Sequence, residues 1–113
     1  MKFRCDRDDL VEALNTAGKA VTNRATLPVL NGLRLSLEND ILVITGSDLD
    51  LTITVIVEVS GEKDGISVVP AKLLSDVIRS VESGIVDLTV EETDLQVIAG
   101  RSEFALRTIP ADE

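Results

Sequence analysis

Residues 69–90 read VPAKLLSDVIRSVESGIVDLTV, and their hydrophobic period changes from helical to alternating within the segment. Pro70 marks the entry to a helix and Gly84 its exit, and the apolar residues between them recur at intervals of three and four. Residues 86–90 then alternate apolar and polar side chains, as in a half-buried strand. The segment therefore predicts an amphipathic helix that leads into a strand. The apolar stripe of this helix is predicted to contain Leu73, Leu74, Val77, Ile78 and Val81.

The same arrangement is found near the N-terminus, where another helix is predicted. Asp6 is a suitable N-cap, and Asp8 and Asp9 suit the positive end of the helix dipole. Lys19 is placed at the end of this helix. Its apolar stripe is predicted to contain Leu10, Val11, Leu14, Ala17 and Val21.

The predicted elements repeat in the same order along the chain: strand, helix and three strands, then strand, helix and three strands. LRLSLE at 33–38 matches VDLTVE at 86–91, and residues 51–59 predict one long alternating strand. This order predicts an α+β fold with internally duplicated strand-helix-three-strand units. We expect both helices to pack across the same antiparallel sheet surface and to present their opposite faces side by side to solvent.

Length and composition narrow the class of protein. The 113 residues favour a single domain over 1–113. The net charge of −9 argues against tight gripping of nucleic acid by phosphate neutralisation. A single Cys, a charged N-terminus without an apolar leader, and the lack of an apolar run of about 20 residues favour a soluble cytoplasmic protein.

Few residues offer catalytic chemistry. No His is present, which removes the commonest general base and metal ligand. Asp48 and Asp50 in GSDLD are paired carboxylates, but their spacing does not complete a calcium loop, so a role in a strand turn is favoured. Cys5 is interpreted as a buried structural thiol, since no His activates it. We expect no enzymatic activity, no catalytic residue, no metal and no cofactor.

The basic residues are few and therefore informative. Lys72 and Arg79 are seven residues apart and share a face of the second helix. If the helices lie side by side, Lys19, Arg24, Lys72 and Arg79 meet on one surface. From the pattern alone, ordinary solubility is the favoured interpretation. We expect the cations to gather on the helix side and acids such as Asp40, Glu62 and Asp94 to occupy loops elsewhere.

The last predicted strand, SEFALRT at 102–108, has two possible roles. Phe104 and Leu106 are core residues if the strand is internal, and contacts for a partner strand if it lies at a sheet edge. Arg101 and Arg107 are placed to pair with acids across such a joint.

Five stretches give the chain a family resemblance. It resembles the N-terminal domain of the bacterial sliding clamp, the beta subunit of the replicative DNA polymerase. The stretches are spread over nearly the whole chain and occur in the order of the family. They are MKFRCDRDDLVEAL (1–14), RATLPVLNGLRL (24–35), TGSDLDLTI (45–53), VPAKLLSDVIRS (69–80) and GRSEFALRTIP (100–110).

The resemblance implies a DNA clamp fold and a topological function. In this family three such domains form a subunit, and two subunits close head to tail around duplex DNA. The helices line the hole, the sheets form the outer wall, and the ring tethers the polymerase, which makes synthesis processive. The chain would then be the first of three domains. Its implied partners are double-stranded DNA without sequence preference, a second clamp subunit, the replicative polymerase and the clamp loader.

The resemblance also implies roles for individual residues. Arg24, Lys72 and Arg79 match the DNA-proximal basic positions, and Lys19 is added to them on the shared helix face. The strand of the subunit joint matches Arg101, Phe104 and Leu106, with Arg107 beside them, whereas Glu103 replaces a basic residue of some members. Two other hypotheses remain: a protein-interaction scaffold of the same fold that never meets DNA, and a metal-dependent hydrolase that uses Asp48 and Asp50.

Overall fold

The computed structural model of the chain describes residues 1–21, 32–48 and 50–110. In these residues two helices alternate with nine strands. The helices are α1 (Arg7–Gly18) and α2 (Ala71–Ser80). The strands are β1 (Lys2–Asp6), β2 (Gly32–Glu38), β3 (Ile41–Ser47), β4 (Thr52–Glu58), β5 (Ser60–Lys63), β6 (Gly65–Pro70), β7 (Ile85–Glu91), β8 (Asp94–Ala99) and β9 (Ser102–Arg107). Neither described helix is long and apolar enough to cross a membrane.

The two repeats exchange their leading strands. One sheet has the order β5-β1-β7-β8-β9 and the other the order β4-β3-β2-β6, with antiparallel pairing throughout. β1 leads the first repeat but pairs with β7 of the second, and β6 leads the second repeat but pairs with β2 of the first. The predicted duplication is therefore confirmed, and the exchange interlocks its two halves in one unit.

The predicted strand over 51–59 is confirmed as β4, which begins one residue later and ends one residue earlier. β4 ends at Glu58, where the backbone N–H of Val59 donates to the carbonyl oxygen of Asp40 at 2.9 Å. β5 follows and pairs with β1 in the other sheet. The apolar alternation continues through Val59, so the pattern contains no sign that the chain changes sheet there.

The core lies between the helices and the inner faces of both sheets. Leucines on alternate positions of β2, at 33, 35 and 37, are almost fully buried, and so are Leu88 and Leu95 on the other sheet. Burial of one such side chain contributes about 1.5–3 kcal/mol. The described core residues are mainly aliphatic, with Phe3 the one aromatic side chain that is fully enclosed. Aliphatic alternation thus supplies the packing that aromatic residues provide in other small domains.

The predicted helical stripes are confirmed except at their margins. On α2 the buried residues are Ala71, Leu74, Val77 and Ile78, followed by Val81, whereas Leu73 is 48% exposed. Leu73 precedes Leu74 by one residue and is therefore rotated by about 100° away from the buried line. α1 ends at Gly18, so Val21 packs against the core from the segment after the helix.

Arg7 fixes one end of the helix pair. Its Nε donates to the carbonyl oxygen of Ile78 at 3.1 Å, and its Nη2 donates to that of Arg79 at 2.7 Å. These carbonyls belong to the last turn of α2, where the helix dipole favours a positive charge. The contact joins the start of α1 to the end of α2, so the two helices run antiparallel.

The N-terminus of α1 lies against the loop between α2 and β7. Asp6 is at the N-cap as predicted, but its carboxylate makes no capping hydrogen bond to the described residues. The backbone N–H of Arg7 instead donates to the carbonyl oxygen of Gly84 at 2.8 Å. Hydrogen bonds from the Arg7 guanidinium and the Ser83 hydroxyl to the Asp8 carboxylate hold the pKa of Asp8 below its ordinary value.

We predict that Arg7→Ala lowers the free energy of unfolding by about 2 kcal/mol, because it removes two charge-assisted hydrogen bonds from a largely buried side chain. Urea denaturation at neutral pH measures this loss. Arg4→Ala is the matched control, since Arg4 forms an exposed pair with Asp87 at 2.7 Å, and exposed pairs contribute little to stability. Equal losses in the two variants would contradict the structural role of Arg7.

Cys5 is free and buried on β1, as predicted, and burial raises the pKa of its thiol to about 12. In the unfolded chain the thiol ionises at pH about 8.5–9, so folding must suppress that ionisation in alkaline solution. The contribution of the protonated Cys5 thiol to the free energy of unfolding is therefore complete below about pH 8.5 and falls as the pH rises toward 12. We expect the difference in unfolding free energy between the wild type and Cys5→Ala to narrow by about 1.4 kcal/mol per pH unit above pH 9. A constant difference up to pH 10.5 in urea titrations would contradict the buried, protonated thiol.

Candidate functional site

Three of the four predicted cations meet between the helices. Lys19, at the C-cap of α1, and Lys72 and Arg79 of α2 line one cleft of about 250 Å³. The end of α1 and the start of α2 form its walls. Arg24, the fourth predicted cation, lies outside the described residues. The structure thus places Lys19, Lys72 and Arg79 on one solvent-facing surface, which is called the helix surface below.

A close backbone contact fixes the α1 wall of this cleft. A Cβ atom at Gly46 would lie 2.3 Å from the carbonyl oxygen of Ala17, so β3 approaches the last turn of α1 more closely than a side chain allows. Ala17 is fully buried, and the backbone N–H of Val21 donates to the carbonyl oxygen of Gly18 at 3.0 Å. The position of Lys19 therefore depends on Gly46 in the four-stranded sheet.

The start of α2 adds to the positive potential of the helix surface. Lys72 is in the first turn of α2, and no acidic residue accompanies it there. The helix dipole is positive at this end, so it disfavours a cation and favours an anion. Helix stability thus does not account for Lys72, whereas an anionic ligand would.

Asp76 lies between the two cations of α2. Its Oδ1 is 2.6 Å from Nη2 of Arg79, and its Oδ2 is 3.7 Å from Nζ of Lys72. All three side chains are about half exposed or more, so the three charges are accessible to solvent. The helix surface therefore carries a carboxylate among its cations.

The expected separation of charge is only partly correct. Asp40 occupies a turn, and its Oδ1 accepts a hydrogen bond from the backbone N–H of Gly61 at 2.9 Å. Glu62 pairs with Lys2 on the five-stranded sheet. The helix side nevertheless carries acids of its own, since Asp9 and Glu12 on α1 line a groove beside β4. Among the described residues, the predicted cations Lys19, Lys72 and Arg79 gather where the end of α1 meets α2.

The Asp48 carboxylate of the GSDLD segment shapes a turn. Oδ1 of Asp48 accepts the backbone N–H of Asp50 at 3.1 Å and that of Leu51 at 2.8 Å. This is the geometry of an Asx turn. Over the described ranges, no group of three or more acidic or Cys side chains is arranged to hold a metal ion.

β9 is an edge strand of the five-stranded sheet. It pairs with β8, and the backbone N–H of Thr108 donates to the carbonyl oxygen of Thr93 at 2.8 Å. Hydrogen-bonded pairs alternate along an antiparallel ladder, so the backbone groups of Glu103, Ala105 and Arg107 point away from β8. A row of donors and acceptors is thus directed toward the outside of the sheet.

The four predicted joint residues have different surroundings. Leu106 is 7% exposed and belongs to the core, while Phe104 is partly buried against it. Arg107 is exposed and its Nε lies 3.6 Å from Oδ1 of Asp94. Arg101, in the turn before β9, lines a cavity of about 670 Å³ with the loop after α2. The side chains of Phe104 and Leu106 therefore serve this chain's own core as well as any joint.

Comparison with known proteins identifies the family. A sequence model described as the N-terminal domain of the DNA polymerase III beta subunit matches residues 1–113. The chain belongs to this family.

Named relatives agree with this assignment. A beta sliding clamp of Pseudomonas aeruginosa is 38% identical over 116 residues, covering 100% of this chain and 31% of the relative. That of Streptomyces coelicolor is 34% identical, covering 100% of this chain and 30% of the relative. The crystal structure of the DNA polymerase III subunit beta from P. aeruginosa superposes with a TM-score of 0.94 at 36% identity, covering 100% of this chain and 31% of that one. The chain thus spans about a third of the length of these relatives, and it has the clamp fold predicted from its sequence.

The roles of two residues near the helix surface were not predicted from the sequence. Asp76 is four residues after Lys72 and three before Arg79, so helical spacing alone was a sufficient signal for it. Arg7 contacts carbonyl groups more than 70 positions away, for which no local pattern exists. Asp76 affects the charge of the helix surface, and Arg7 affects the relative position of the two helices that form this surface.

Proposed function

We propose that this chain is the N-terminal domain of a ring-shaped sliding clamp that encircles duplex DNA and tethers the replicative polymerase. In this proposal the chain is the first of three domains, and two subunits close the ring. The protein acts in the cytoplasm and performs no covalent chemistry. The replicative polymerase and the clamp loader are partners of the whole ring.

The cationic cleft between α1 and α2 is the observation that supports a DNA contact most directly. Lys19, Lys72 and Arg79 line this cleft, and we expect them to approach phosphates without reading base edges. A few exposed cations on a chain of net charge −9 give weak, salt-sensitive attraction. Weak attraction suits a protein held on DNA by closure, because strong binding would oppose sliding.

Two other functions are less favoured. The hydrolase hypothesis loses its main support because the Asp48 carboxylate is engaged by backbone N–H groups of its own turn. A scaffold without DNA contact offers no account of a first-turn Lys72 beside Lys19 and Arg79. Membership of the polymerase III beta family also favours the clamp over both.

We predict that the 113-residue chain binds duplex DNA weakly and that Lys72→Ala/Arg79→Ala reduces the binding severalfold at low salt. The slope of log K against log salt concentration should become shallower by about two, since two phosphate contacts are lost. Fluorescence anisotropy with a labelled 20-base-pair duplex, repeated with an unrelated sequence, measures both effects.

Lys63→Ala is the control for this experiment, because Lys63 is an exposed cation on β5, a strand with no part in the helix surface. We expect a much smaller change from this variant. Equal effects of the helix and β5 variants would contradict a specific DNA-facing helix surface, as would an affinity that differs between the two sequences or does not respond to salt.

We further propose that β9 joins a partner strand at the subunit interface. Its outward backbone N–H and C=O groups, at Glu103, Ala105 and Arg107, are suited to extend the sheet into a second subunit. Arg101 and Arg107 flank this edge and are proposed to pair with acids across the joint, while Phe104 and Leu106 support it from within the core.

We predict that Ala105→Pro converts dimers of the full gene product into monomers in sedimentation velocity runs. Proline removes the N–H that faces the partner but leaves the pairing with β8 intact. Ala105→Val retains this N–H and should remain dimeric. This pair is a better test than polar substitution of Leu106, which would disturb the core. Unchanged dimers of Ala105→Pro would contradict the assignment of β9 to the joint.

A further inference from the structure

Asp76 has a position that its contribution to the helix does not explain. It lies neither at a cap nor in the first turn of α2 but in the interior of the helix, where Asp has a low helix propensity. Its pairs with Lys72 and Arg79 are both exposed, and exposed pairs of this kind stabilise a helix only weakly. A neutral helix former would serve α2 at least as well.

The geometry places Asp76 in competition with an approaching phosphate. The carboxylate accepts a hydrogen bond from Nη2 of Arg79 at 2.6 Å and lies within ion-pair distance of Lys72, at 3.7 Å from its Nζ, so one anion already interacts with both cations. Lys72 and Arg79 line the cleft that includes Lys19. A phosphate that binds either cation of α2 must therefore displace the Asp76 carboxylate or share the cation with it.

We propose that Asp76 limits the affinity of the helix surface for DNA, so that phosphate contacts are made and broken without being held. The inference rests on the proposed function and assigns to one carboxylate the weakness that sliding requires. Chain-wide repulsion from the net charge of −9 acts at longer range and is screened by salt, whereas Asp76 acts within ion-pair distance of the cations.

Asp76→Asn tests this proposal in the 113-residue chain, with Asp94→Asn as the matched control. Both substitutions remove one charge from an exposed Asp that pairs with an Arg, but Asp94 lies on β8 and pairs with Arg107. We expect Asp76→Asn to tighten binding of a 20-base-pair duplex about two- to fivefold and to steepen the salt slope by about one. Asp94→Asn should change both quantities much less. Asp76→Gln, which favours the helix more, should reproduce the effect if the Asn variant folds poorly.

A triple variant distinguishes competition between Asp76 and phosphate from a general effect of the changed net charge. When Asp76→Asn is introduced together with Lys72→Ala and Arg79→Ala, the gain in affinity should disappear, because the cations that it releases are absent. If Asp76→Asn behaves like Asp94→Asn while wild-type binding still depends on Lys72 and Arg79, this inference is overturned and the proposed function stands. If wild-type binding does not depend on these cations, the proposed DNA contact fails and the inference fails with it.

Discussion

Each helix of this domain has one apolar stripe, and both stripes must be buried against the same two sheets. The exchange of β1 and β6 between the repeats makes this possible, because it ties each meander to the strand that leads into the other helix. Once the stripes are buried, the opposite faces of α1 and α2 have to lie side by side in solvent. The helix surface is therefore a consequence of how the core is formed.

Two contacts set the relative position of the helices at their opposite ends. Arg7 donates to the last carbonyls of α2, and at the other end β3 approaches the final turn of α1 at Gly46. The antiparallel arrangement brings the negative end of α1 beside the positive end of α2, with Lys19 and Lys72 between them. The same geometry that stabilises the pair thus concentrates cations in one cleft of an otherwise acidic chain.

The weakness of this positive surface is a property that fits a sliding clamp. Nonspecific grip on DNA grows with the number of phosphates neutralised, and three cations with a carboxylate among them neutralise few. In the proposed ring, closure replaces affinity as the reason why the protein stays on DNA. The open edge at β9 then matters as much as the cations, since it is the part of this domain proposed to close the ring.

Much of this could be predicted from the sequence, and the exceptions have physical causes. Local periodicity identified both helices, and the repeated order of elements identified the duplication. The same period of two could not show that β5, which follows β4 directly, pairs in the other sheet, because the period of a strand does not identify its neighbours. Leu106 satisfied the pattern of a joint residue and of a core residue equally, and only burial distinguishes them. The partners of Arg7 depend on tertiary packing, which has no local signature.

Mapping of amide chemical shifts in the 113-residue chain during titration with short duplex DNA tests the central claim most directly. The account predicts that shifts concentrate at Lys19, Lys72, Ser75 and Arg79, and that two unrelated sequences give the same pattern. The amide signals of Ser36 and Ile66, which pair on the outer face of the four-stranded sheet, should not shift. Shifts concentrated on that outer face, or a pattern that changes with the DNA sequence, would contradict a DNA-facing helix surface.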